Sequence, residues 1–165
     1  MLYAQTRYPE WTGQTSGEYT LSQDIRVPGT IHLSGNLTIH VAPGTSPTIR
    51  RAVGTLGLFD MTNGYKLTIH GQENDTIYLD GEAEYILHPF YLPNGEYNPE
   101  FDEKGPLTLT YYPNVNSDGK MGGNAIWIKS GGGALDLDYV VIKNWATTDG
   151  AICTANNSIF TEFRA

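Results

Sequence analysis

One unit recurs along the chain. Apolar residues alternate with polar ones, a small turn of Gly, Asn or Ser follows, and a second alternation begins. The first copy runs Ile31-His32-Leu33, Ser34-Gly35-Asn36, Leu37-Thr38-Ile39-His40-Val41. The second pairs Phe59-Asp60-Met61 with Leu67-Thr68-Ile69-His70 across Thr62–Lys66. The third pairs Ile126-Trp127-Ile128 with Leu135-Asp136-Leu137 across Lys129–Ala134, and a degenerate fourth spans Ile152–Phe163. A period of two predicts short strands with one buried face, because successive side chains on a strand point to opposite sides. The spacing puts Ile31, Leu33, Leu37, Ile39, Leu67, Ile69, Ile126, Ile128, Leu135 and Leu137 inward, and Tyr139 continues the inward series. No window carries sustained 3.6-residue spacing, so no long helix is expected.

The identical tetrapeptides Leu37–His40 and Leu67–His70 make the pattern an internal repeat. One such unit cannot bury its apolar face alone, whereas stacked units share a continuous core. The expected fold is therefore all-β, and a solenoid suits the strand-turn-strand unit better than a barrel or an immunoglobulin-like sandwich. Gly and Pro supply 28 of the 165 residues, which agrees with many short strands and turns. The repeat breaks at 82–122, where five of nine prolines and seven aromatic residues collect. About 40 structureless residues are improbable inside a compact domain, so this stretch reads as an ordered excursion with a strand at Leu107–Tyr111. The division is a leading or capping segment at 1–16, first coils at 17–81, the excursion at 82–122 and later coils at 123–165, all in one domain or in a fragment of a longer one. In the leading segment Tyr8, Pro9 and Trp11 are placed to cover the open first coil. Asn157–Ala165 reads as the start of another coil. That predicts either a continuing solenoid or self-association through the open C-terminal coil.

Two runs resemble the opening coils of right-handed parallel β-helix proteins: Gly17–Ile25 and Gly29–Ile39. Gly131–Trp145 resembles their internal coils. The family is the pectin-lyase-like superfamily, in particular its bacterial surface and adhesin-like members. The resemblance covers about 17–81 and 123–165. It implies a right-handed parallel β-helix of about four to five coils with one long excursion. It also implies a place outside the cell or on its surface.

Charge removes some functions. Ten Lys and Arg against 18 Asp and Glu leave −8, which repels phosphate backbones, so no nucleic-acid partner is expected. No run of about 18 apolar residues occurs, so no membrane span is expected. The single Cys153 excludes an internal disulfide and a paired-thiolate zinc site. The residues call for no cofactor. Calcium enters only through the resemblance, since lyases of this superfamily hold it with clustered carboxylates and its hydrolases use such carboxylates as acid and base.

The nearest such pair is Asp136 and Asp138, which alternation sets on one outer face about 6.5–7 Å apart. No Arg lies between Arg51 and Arg164, so a lyase base would have to be Lys129 or Lys143. Asp80 and Asp149 read as turn residues. His40 and His70 share a repeat position, and stacking would bring them together as a candidate metal pair. Gly131–Gly133 lacks the Lys and the helix of a phosphate loop. The strongest candidate for recognition is the excursion. There Tyr91, Tyr97, Tyr111 and Tyr112, with Glu96, Glu100 and Asp102, have the chemistry of a glycan groove: flat apolar faces beside polar acceptors. The function expected is a non-catalytic extracellular module that binds glycan through the excursion. The alternatives are a polysaccharide lyase or glycoside hydrolase, and a purely structural stalk.

Overall fold

The computed structural model describes residues 9, 11, 13–51, 57–61, 64–82, 84–105, 107–111, 124–128, 131, 133–145, 152–154 and 160–164; for 84–86, 107–111, 153–154 and 160–164 it describes the backbone alone. In chain order the strands are β1 (Gly17–Leu21), β2 (Ile25–Arg26), β3 (Ile31–His32), β4 (Leu37–Val41), β5 (Thr48–Arg50), β6 (Gly57–Met61), β7 (Lys66–His70) and β8 (Ile77–Asp80). Then come β9 (Glu84–Leu87), the helix α1 (Pro99–Lys104) and β10 (Leu107–Tyr111). The last are β11 (Asn124–Ile128), β12 (Gly133–Asp138), β13 (Val140–Lys143), β14 (Ile152–Thr154) and β15 (Phe160–Arg164).

The protein is all-β in its main body, built from sheets of parallel strands. A first sheet has the order β1-β4-β7-β12-β15, a second β2-β5-β8-β13 and a third β3-β6-β11-β14. The chain visits them in fixed rotation, first, second, third. It departs only after β8, when β9, α1 and β10 intervene before it rejoins the third sheet at β11. The two identical tetrapeptides lie side by side: Leu37, Thr38, Ile39 and His40 face Leu67, Thr68, Ile69 and His70. A one-residue slip would turn every apolar side chain outward, so burial holds this register.

All ten residues expected inside are buried, none more than 4% exposed. They stack in rows across the sheets: Leu37, Leu67 and Leu135 in one, Ile31, Phe59 and Ile126 in another. Ile25, Ile49 and Leu79 form the row of the second sheet. Trp11 joins the same core and lies against Tyr19 with ring centroids 4.6 Å apart. Its backbone N–H donates to Arg26, whose own N–H donates to the Pro9 carbonyl, so the leading segment lies along the outer edge of β2.

Tyr139 departs from the inward series. It has φ +49° and its side chain is half-exposed. It is the corner between β12 and β13, and a left-handed residue breaks the strand alternation and turns the side chain out. Close approach, not left-handed φ, explains Gly81. A Cβ there would lie 2.5 Å from the Asn144 carbonyl oxygen and 2.7 Å from the Trp145 ring. That ring covers the buried Arg51 guanidinium at 5.0 Å, and its indole N–H donates to the Leu79 carbonyl.

Asp80, expected in a turn, is the last residue of β8 and is buried within an ion network on the second sheet. Register places Arg26, Arg50, Asp80 and Lys143 across neighbouring strands. Two arginines face to face would repel. Carboxylates separate them: Glu82 takes both ends of the Arg26 guanidinium at 2.6 and 2.7 Å, and Arg50 reaches Asp80 at 3.2 Å and Asp24 at 3.4 Å. The sequence hides this cluster because its members come from four strands and the residues flanking them.

Candidate functional site

The described residues 84–105 and 107–111 of the excursion form a stem and a head. In the stem β9 and β10 pair antiparallel, Leu87 with Leu107 and Ile86 with Thr108, with a bulge between Leu109 and Tyr111. The strand expected at Leu107–Tyr111 lies there. The head holds a tight inner hairpin, in which Tyr91 bridges to Tyr97 and the Leu92 N–H donates to the Glu96 carbonyl. Gly95 closes it at φ +86°, a conformation that side chains with a Cβ rarely adopt.

Helix α1 follows at once. Its local signals are Asn98, Pro99 at the first turn, Glu100 and Asp102 near the N-terminus and Lys104 in the last turn. The Asn98 side chain accepts from the Glu100 N–H and donates to the Pro89 carbonyl. The cap therefore also ties the helix to the base of the head. This is the capping chemistry that Asn-Pro favours. Six residues fall below what period alone can detect.

Phe90 is the hub of the head. Tyr91, Tyr97 and Phe101 all meet its ring edge to face, at centroid distances of 4.8, 5.2 and 5.2 Å. Such packing fixes rings without covering them. Tyr91 stays 61%, Phe90 47% and Tyr97 41% exposed, and Leu87 at the end of β9 76%. These are four of the six large hydrophobic side chains exposed among the described residues. A hydrogen bond to the Asp102 carboxylate holds the Tyr97 phenol above its ordinary pKa. Glu100 lies 2.8 Å from Lys104 and 3.1 Å from the buried His88, and the lysine, then the histidine, hold its carboxyl below the usual range. The Asn94 amide donates to Glu96. Tyr91, Tyr97, Glu96, Glu100 and Asp102 thus share one small head. Tyr111 lies in β10 with its backbone alone described, and Tyr112 lies outside the described residues.

A second cluster lies on the outer face of the first sheet. His40 and His70 stand side by side, their rings edge-on with centroids 6.4 Å apart. Asp138 faces His70 in register and is exposed. Asp136 is buried: Lys66 Nζ and His70 Nε2 each approach one of its oxygens at 3.0 Å. The histidine first and the lysine second hold its carboxyl below the usual carboxylate range. The pair expected from sequence is therefore unequal, one carboxylate engaged by a lysine and a histidine and the other in solvent. The sequence does not show these partners, because they belong to β7, far back along the chain. Among the described residues, no three His, Cys, Asp or Glu side chains converge as metal ligands. Lys143 interacts with the Tyr78 ring at 4.7 Å and lies 3.9 Å from Asp80, away from this cluster. Lys129 and Asp149 lie outside the described residues. Cys153 lies in β14 with only its backbone described.

Comparison of the chain with family models, curated proteins and solved structures finds no match. Among the described residues no helix is long and apolar enough to cross a membrane.

Proposed function

We propose that this chain is a non-catalytic glycan-binding module built on a right-handed parallel β-helix of four to five coils, of the pectin-lyase-like kind, secreted or displayed on a bacterial cell surface. The rotation of the chain through three parallel sheets supports the coil. The reading of function rests on one observation: the exposed Phe90, Tyr91 and Tyr97 faces, immobilised around a common ring on a hairpin stem. Exposed aromatic surface clustered on one protrusion marks an interaction site. Rigid rings with polar rims suit a sugar's flat apolar face and its hydroxyls. The coils supply the rigid support that a recognition loop needs.

A glycan array of neutral, acidic and amino glycans, followed by titration of the full chain, tests this. The expected result is binding that falls by roughly tenfold or more in Tyr91→Ala and in Tyr97→Ala, as for central aromatic anchors. Unchanged affinity in both variants removes the head from the site. Absence of any binding returns the protein to the stalk reading.

The arrangement of His70, Lys66 and Asp136 favours a second reading, a lyase or hydrolase acting on the outer face of the first sheet. The non-catalytic proposal expects no unsaturated or reducing ends from polygalacturonate or alginate, with or without calcium. Their release, abolished by Asp136→Asn, would replace it.

A further inference from the structure

Charge narrows what the head can bind. Between Leu87 and Gly105 four acids, Glu96, Glu100, Asp102 and Glu103, stand against one base, Lys104. That base is bound to Glu100 at 2.8 Å. Glu96, Asp102 and Glu103 are exposed. Asp102 is hydrogen-bonded to the Tyr97 hydroxyl, so an acidic side chain sits at the rim of one of the exposed rings. Glu96 is the chain neighbour of Tyr97 in the turn of the same inner hairpin, where its N–H donates to the Asn94 side-chain oxygen and its carboxylate accepts from the Asn94 amide. Aromatic faces are themselves negative, by virtue of the ring quadrupole. Rings and carboxylates therefore act in the same sense: they attract a cation laid over the rings and repel an anion there.

Accepting the glycan reading above, we infer that the head selects a glycan with free, protonated amino groups: an amino-sugar chain without its N-acetyl groups. Each ammonium would lie over a Tyr91 or Tyr97 face with Glu96 or Asp102 within electrostatic reach, while the pyranose ring covers the remaining aromatic surface. An acidic glycan, the usual partner of clustered basic residues, meets like charge here. A neutral glycan uses the rings and leaves the carboxylates idle.

The test is calorimetric titration of the full chain, at mildly acidic pH, with three oligosaccharides of equal length: β-1,4-linked glucosamine, its fully N-acetylated form and galacturonate. The glucosamine oligomer is expected to bind roughly tenfold tighter than the N-acetylated one, the galacturonate oligomer not at all. That ratio should shrink when salt is raised, because exposed charges are screened. It should also shrink in the Glu96→Gln variant, whose side chain is exposed. Tyr97→Ala should weaken both binding oligomers. Equal or tighter binding of the N-acetylated oligomer, or a ratio unmoved in the glutamine variant, overturns the charge inference and leaves the glycan reading standing. Failure of every oligosaccharide, on this panel and on the array, overturns both.

Discussion

Asp136 illustrates how a single side chain acquires a role from its neighbours. On its own strand it is one of two outward carboxylates. Across the sheet it becomes the acceptor for His70 and Lys66, and its pKa falls. A carboxylate whose folded pKa lies below its unfolded one adds stability above the ordinary carboxylate range and loses it as pH falls through the folded value. Asp136→Asn should therefore lower stability at neutral pH, and the gap to the parent should close at strongly acidic pH. The effect should stay under about 2 kcal/mol, since the Lys66 and His70 side chains are 37% and 36% exposed and their attraction is screened. Urea unfolding of both proteins across the pH range checks this. A gap that persists unchanged at low pH would mean that packing, not charge, carries it.

At the level of elements, the parallel sheets and the excursion are held by different forces. The strands of the body draw on burial and on parallel ladders. The head draws on one aromatic hub, one helix cap and a hairpin turn. Asn98 is the hinge of this arrangement, because its side chain serves helix and hairpin base together and is buried. Asn98→Ala should cost about 1–2 kcal/mol, the usual range for loss of a cap. Such a loss is felt first as local opening. Hydrogen exchange should quicken in 88–105 while β4 and β7 keep their protection. Equal acceleration in β4 and β7 would show that head and body unfold as one unit.

For the whole molecule the stacked rows of the core are the source of cooperativity. Ile69 sits between Ile39 and Leu137, all three buried. Ile69→Ala removes contacts to two neighbouring strands at once and should cost about 2–5 kcal/mol. The urea midpoint should drop with the slope unchanged, since the surface exposed on unfolding is nearly the same. A cost under about 1 kcal/mol would indicate a core loose enough to collapse around the gap. Negative charge also acts at this scale. Four acids against one lysine leave the head negative, while on the second sheet Asp24, Asp80 and Glu82 are paired with arginines.

What the sequence determined alone is the part governed by local alternation. Ile31, Leu37, Ile39, Leu67 and Ile69 announce buried faces, the repeated tetrapeptide announces its own pairing, and the aromatic, proline-rich stretch announces an ordered interruption. Each of these depends on residues a few positions apart, so periodicity carries the information. What only the tertiary structure decided depends on residues from different strands. It joined Asp136 to Lys66 and His70, made Asp80 the partner of Arg50 as well as the turn acceptor of the Glu82 N–H, turned Tyr139 outward at its corner, and gathered Tyr91, Tyr97 and Phe101 around Phe90. The physical reason is that parallel pairing brings together side chains separated by a whole circuit of the three sheets or more. Their charges and rings are chosen for a partner that no local window contains.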